Sequence, residues 1–251
     1  ARARIELDPL GALPPGFVRI PAGPFVESGD PAAFRPREAR TVELPAFAIA
    51  RKGLTNREWY EFVNDEETLA KLAAAPAGQH YLLPEDDRVL AKKTEDGATW
   101  TWAVHENTTA DTPVLGLSWN DVRAYLEWRN LKAGEDGEPW RYDLPTESEW
   151  EKAARGVDGR AFPWGDRFDP ALTVCLVRRD VYLLDAPGGF EPRDESPWGV
   201  LDLGGSREEW LRDLVPGSDP PRGPKRGGHW GSSGEALFRC ASRGETAPDR
   251  F

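Results

Sequence analysis

Three short stretches of this chain open with the same device, and it commits them to brief helices set in a loop-rich frame. Thr55 stands three residues before Glu58, Ser118 three before Asp121, and Thr146 three before Glu149. In each, the hydroxyl can accept from the backbone N–H three residues on, while the carboxylate reaches back to the cap. Apolar residues then recur on one helical face: Trp59, Phe62 and Val63; Val122, Tyr125 and Leu126; Trp150, Ala153 and Ala154. The third stretch, "LPTESEWEKAARG", also ends as a helix should. Lys152 and Arg155 fall in the last turn, where the helix dipole favours cations, and Gly156 suits a left-handed C′ position.

Outside these stretches the signals are short. "FVRIPAGPFVESGD" (17–30) holds two apolar runs split by Pro-Ala-Gly and reads as a hairpin, and "RTVELPAFAIAR" (40–51) reads as one or two strands. "TWTWAVHE" (99–106) is a plausible strand in an otherwise weakly patterned region. From 157 onward helical signals mostly stop, and Gly, Pro, Trp and charged residues dominate. With 25 Gly, 23 Pro and 11 Trp, that half reads as irregular loops pinned by aromatics. The 251 residues suit one large domain or two small ones, and no repeat or sharp boundary divides them.

The net charge of −11 disfavours a nucleic-acid partner, whose phosphates need a basic surface. No apolar run approaches the ~18 residues of a membrane span. No signal peptide is evident, and two cysteines, Cys175 and Cys240, make no disulfide framework, although one long-range bridge stays open. A cytoplasmic location is therefore expected. Met is absent even at position 1, which suggests a piece of a longer protein.

Chemistry-bearing motifs are sparse. His80, His105 and His229 lie far apart with no HExxH, and neither a P-loop nor a GxSxG elbow is present. "DLGGSREE" (202–209) sets two carboxylates seven apart around a Gly pair, a mixed oxygen set of the kind Ca²⁺ takes, or else a solvated loop. "KRGGHWGSSGEALFRCASRG" (225–244) offers small residues with Arg239 and Arg243, either a binding segment or a terminal hairpin.

Six blocks in order, "PPGFVRIPAGPF", "LTNREWYEFV", "PVLGLSWNDVRAYLEW", "LPTESEWEKAARG…FPWGD", "SPWGVLDLGGSREEW" and "KRGGHW", resemble the formylglycine-generating enzyme (sulfatase-modifying factor) family from about residue 16 to residue 243. The resemblance implies an α+β fold of the C-type-lectin-like kind, with few helices, small twisted sheets, much irregular structure and frequent Ca²⁺ bracing. It implies a linker or arm over 1–15 and one domain over 16–251, and makes the capped helix and the "FPWGD" turn structural hallmarks. Enzymes of the family oxidise a substrate cysteine with copper held by two cysteines shortly after the "GGS(Y/W)" motif. This chain has no cysteine from 229 to 239, and Cys240 falls at a position that looks structural in the family. Copper is therefore not expected. The related ergothioneine-type iron oxygenases draw histidine ligands from an additional helical domain, which nothing here supplies. The chain also stops short of the family's closing "GFR"-like strand, which leaves the C-terminal pairing open.

These implications point to a non-enzymatic domain that binds a protein or small-molecule ligand through His229, Trp230, Ser232, Ser233, Glu235, Arg239 and Arg243; Trp230 also suits a core position. One such setting is the C-terminal regulatory or sensor domain of a bacterial serine/threonine kinase, with the kinase upstream. A second is the variable protein of a diversity-generating retroelement, in which this segment is the mutable ligand face. Gly231, Ser232, Ser233, Ser242 and Gly244 are residues that a mutated Asn codon gives, and also ordinary loop residues. A residual metal-dependent oxidase is the third. The loop at 202–209 is similar to the family's "N..G.A.E" calcium loop. That implies at most one Ca²⁺ on the side chains of Asp202 and Glu209 and the carbonyls of Gly205 and Arg207, with the Arg207 side chain turned away. The family's second, upstream calcium site finds no convincing match in 170–190.

Overall fold

The structure is a computed structural model. It describes residues 13–67, 70, 91–93, 100–102, 110–176, 188–189 and 191–249. Most of the 1–15 arm, His80, His105 and the flanks of the expected strand near 99–106 lie outside them.

The N-terminal strands are β1 (Phe17–Ile20), β2 (Gly23–Glu27), β3 (Arg40–Leu44) and β4 (Phe47–Ala50). The sequence suggested that β1 and β2 pair with each other. They do not: β1 pairs with β4 and β2 with β3, both antiparallel. Ile20 faces Phe47 and Gly23 faces Leu44, so the register passes through the Pro-containing corner without a slip. The result is one long two-stranded ribbon, bent in the middle. The corner is held from elsewhere, because Lys152 Nζ donates to Pro21 O and Gly23 O, both at 2.8 Å.

All three capping boxes form. They open α1 (Asn56–Val63), α2 (Trp119–Glu135) and α3 (Glu147–Arg155), with Thr55, Ser118 and Thr146 as caps. α1 buries Trp59, Phe62 and Val63, and α2 packs on them through Tyr125 and Trp128. The Phe62 ring meets Tyr125 edge-on and Trp128 tilted, with centroids 5.6 Å and 5.5 Å apart, arrangements that suit their quadrupoles, and Trp59 stacks on Tyr125 at 5.8 Å. A short ladder pairs β5 (Ala91–Lys93) with β6 (Trp100–Trp102).

α3 is the hub. Trp150, Ala153 and Ala154, fully buried, join Ile20, Val200, Leu203, Leu211 and Cys240 in the main core. Gly156 follows at φ +70° as expected, but its ψ of −142° is extended, not left-handed helical. A Cβ there would meet Pro197 Cγ at 2.8 Å, so glycine is required twice over. "FPWGD" is a tight turn closed by reciprocal Phe162–Gly165 backbone bonds, with Phe162 and Trp164 stacked at 5.5 Å. Helix and turn are joined by Arg155, whose Nε donates to Arg160 O at 3.1 Å and whose Nη2 donates to Gly159 O. The last helical turn thus positions the loop that follows it.

Candidate ligand face and cation site

The C-terminal segment is built on a three-stranded sheet of β7 (Glu209–Trp210), β8 (Gly223–Arg226) and β9 (Gly244–Thr246), with β8 central. It is bolted to α3 by charge. Glu151, fully buried, accepts on Oε1 from Ser28 N (2.6 Å) and Arg155 Nη1 (3.0 Å), and on Oε2 from Arg226 Nη2 (2.9 Å) and Arg243 Nη2 (3.5 Å). Arg226 also donates to the carbonyls of Cys240 and Ser242. A carboxylate buried this deeply needs nearly every lone pair met, and here three cations and an amide meet them.

Arg243 belongs to this cluster. Its Nη1 donates to Glu147 Oε2 at 2.5 Å and its Nη2 to Ser28 Oγ at 2.8 Å, and the residue is 5% exposed. Ser232 is likewise inside. Its Oγ accepts from His229 N, its N–H donates to His229 O, and its own carbonyl accepts from Leu176 N. The other residues expected to face a ligand lie further out. Ser233 and Glu235 are exposed, while His229, Trp230 and Arg239 are half-buried. Arg239 is held by Asp30 at 2.9 Å and by Glu235 at 2.6 Å, and its guanidinium sits 5.1 Å above the centre of the Phe162 ring. Trp230 is fixed by its N–H to Ser206 O, and its ring meets that of His229 edge-on at 6.2 Å.

Why the "RGG" glycines are needed is visible here. Gly227 takes φ +80°, and a Cβ on Gly228 would lie 2.4 Å from the Phe238 ring. Both cysteines are interior and apart. Cys175 packs with Ala161, Phe162 and Phe238, and Cys240 sits in the main core, where burial pushes its thiol up. A thiolate metal ligand would need the opposite shift.

In the 202–209 loop, the four expected calcium positions do not form an open oxygen cage. Gly205 O accepts from Arg207 N at 2.7 Å, and Glu209 Oε2 accepts from Trp150 Nε1 at 2.8 Å. The Arg207 side chain, expected to point away from the set, is buried and reaches across to the segment before α1. Its guanidinium donates to Leu54 O, lies across Gly53, and its charge acts on both Asp202 and Glu209. Asp202 turns the other way, at φ +61°, with Oδ2 accepting from Gly188 N at 2.7 Å. Beside it is a residue that the sequence did not single out, Asp194. It is 2% exposed and pushed up to about 6 by burial and by the neighbouring Asp202 charge. Its position eight residues upstream follows no metal-loop spacing, so only the fold brings the two together. Among the described residues no cluster of three or more His, Cys, Asp or Glu side chains could hold a metal ion, and no helix is long and apolar enough to cross a membrane.

Comparison with known proteins places these features in context. The family described as sulfatase-modifying factor enzyme 1-like domain matches residues 4–251. An inactive Cα-formylglycine-generating enzyme 2 of Bos taurus is 28% identical, over 93% of this chain and 83% of its own. A formylglycine-generating enzyme of the same organism is 27% identical, over 97% and 76%. Among solved structures, PvdO of Pseudomonas aeruginosa superposes with a TM-score of 0.68 at 22% identity, covering 93% of this chain and 89% of that one. Treponema denticola variable protein 1 superposes at 0.57 and 16%, covering 93% and 90%. These likenesses fit the few helices and small antiparallel sheets of the C-type-lectin-like α+β fold.

Proposed function

We propose, from the premise that this chain belongs to the sulfatase-modifying factor enzyme 1-like (formylglycine-generating enzyme-like) family, that it is a non-catalytic binding module of that family. One observation carries the reading. No cysteine lies between 229 and 239, and the two that the chain has are buried in separate clusters, so no thiolate pair faces solvent to bind copper. Similarity to a relative named as inactive supports it, whereas other relatives are named as enzymes. The test is direct. The protein is incubated with copper and a cysteine-containing sulfatase peptide, and the aldehyde is assayed. No product above background is expected, and turnover at catalytic rates would refute the reading.

Binding is assigned to the outer part of the C-terminal segment: His229, Trp230, Ser233 and Glu235, with Arg239 fixed behind them. Loops on a rigid frame are where recognition residues collect, and Trp and Arg are frequent anchors. As the regulatory domain of a bacterial serine/threonine kinase, the chain would sit downstream of a kinase domain. As a variable protein, a role favoured by the likeness to Treponema denticola variable protein 1, it would lie near a second, adenine-differing copy of the 225–251 coding segment. The flanking DNA distinguishes the two.

A further inference from the structure

An open cleft of about 1350 Å³ runs along β1 and β4 to the inner side of the C-terminal segment, where His229 and Trp230 line it. Leu54, Leu117 and Leu201 are among its apolar walls. Several charged side chains around it are already matched. Glu208 takes Lys225 at 2.7 Å, Arg129 takes Glu138 at 3.1 Å, and Glu58 and Glu149 close their capping boxes. Arg207 and Glu209 differ. They lie deep below the surface, yet part of each stays open to the cleft. Each charge acts on the other, but they form no ion pair with each other or with another described residue. Glu209 spends Oε2 on Trp150 Nε1, and its Oε1 has no partner among the described residues. Arg207 spends Nη1 on Leu54 O at 3.4 Å, and its Nε and Nη2 have none. Gly53 makes room for the guanidinium, since a Cβ there would fall 1.4 Å from Nη2. Burial disfavours both charges, lowering Arg207 and raising Glu209 from their ordinary values. Opposite charges held apart at the inner end of an apolar cleft suit a ligand that carries both signs.

We infer that this end of the cleft binds the free ammonium and carboxylate of an apolar α-amino acid, leucine-like in class, with Arg207 on the carboxylate and Glu209 on the ammonium. The unspent Nε and Nη2 share one edge of the guanidinium, the fork that matches a carboxylate with two parallel hydrogen bonds. The side chain of the ligand lies along the leucines and Trp230. The cleft is larger than any one such side chain, so it selects apolar character more than shape. Arg207 and Glu209 take no part in the outer recognition face, and the inference holds whether or not Ser233 and Glu235 meet a partner.

Calorimetric titration of the intact protein at neutral pH with leucine, leucinamide and 4-methylpentanoate tests it. Leucine is expected to bind, and each analogue, lacking one of the two charges, to bind at least about tenfold more weakly. Arg207→Met should bring leucine down to leucinamide, and Glu209→Gln, which keeps an acceptor for Trp150, should bring it down to 4-methylpentanoate. No heat with millimolar leucine would overturn the inference. So would an analogue that binds as tightly as leucine, which would leave a site for one charge only, or leucine binding unchanged in both variants. If either variant fails to fold, the three wild-type titrations still decide whether both charges are read.

Discussion

Arg226 Nη2 lies 2.9 Å from Glu151 Oε2, and both side chains are fully buried. The contact joins α3 to the central strand of the C-terminal sheet across 75 residues of chain. It is the point at which the helix that opens with a capping box fixes the segment assigned to recognition. The helix is therefore a structural anchor for the face.

Glu151→Ala leaves Arg226, Arg155 and Arg243 without their shared carboxylate. Breaking a buried pair by removing one partner costs about 3–5 kcal/mol. Glu147→Ala removes a carboxylate that is 30% exposed and should cost clearly less. Urea denaturation of the two variants measures the difference.

Acid should weaken the N-terminal ribbon through Glu27. Burial alone would raise this carboxyl, but hydrogen bonds from Arg40 and Ser148 outweigh it and hold it below its ordinary 4.5. With the folded value depressed, the unfolded chain binds more protons in this range. The contribution is full above the unfolded value and is lost as pH falls through the folded one. Glu27→Gln should lower stability at neutral pH and flatten its fall below about pH 5, measured by urea midpoints at successive pH values.

Gly228→Ala drives a methyl group into the Phe238 ring, itself packed among Ala161, Phe162 and Cys175. Overpacking of this kind costs about 1–3 kcal/mol. Gly234→Ala, in the same segment but with open space around it, should be near neutral. Melting curves of both decide whether the "RGG" glycines are steric requirements.

The recognition face should separate from its supports by stability alone. Ser233→Ala and Glu235→Ala are expected within about 0.5 kcal/mol of wild type, as exposed substitutions usually are. Arg243→Ala should cost several times more, because Glu147 and Glu151 lose a buried cation. Equal and large losses at all three positions would place Ser233 and Glu235 in the frame and remove them from the face.

What the sequence determined by itself was local. Each capping box closes over three residues, so Thr55, Ser118 and Thr146 mark their helices whatever the rest of the chain does. The apolar stripe of α3, Trp150, Ala153 and Ala154, follows from helical period, whereas the burial of Glu151, Lys152 and Arg155 beside it does not, and six ordered blocks were enough to indicate the family. Tertiary structure decided whatever depends on partners distant in sequence. β1 pairs with β4, and the Pro21–Gly23 corner between β1 and β2 is held by Lys152 from α3. Arg243 and Ser232 turn inward because Glu147, Glu151 and the His229 backbone satisfy them there. Asp194 meets Asp202 because the loop between them folds back on itself, with Ser196 N donating to Val200 O and Asp202 N donating to Asp194 Oδ2. A side chain's type sets what it can bind, but whether it faces water or a buried partner is fixed only when the whole chain has closed around it.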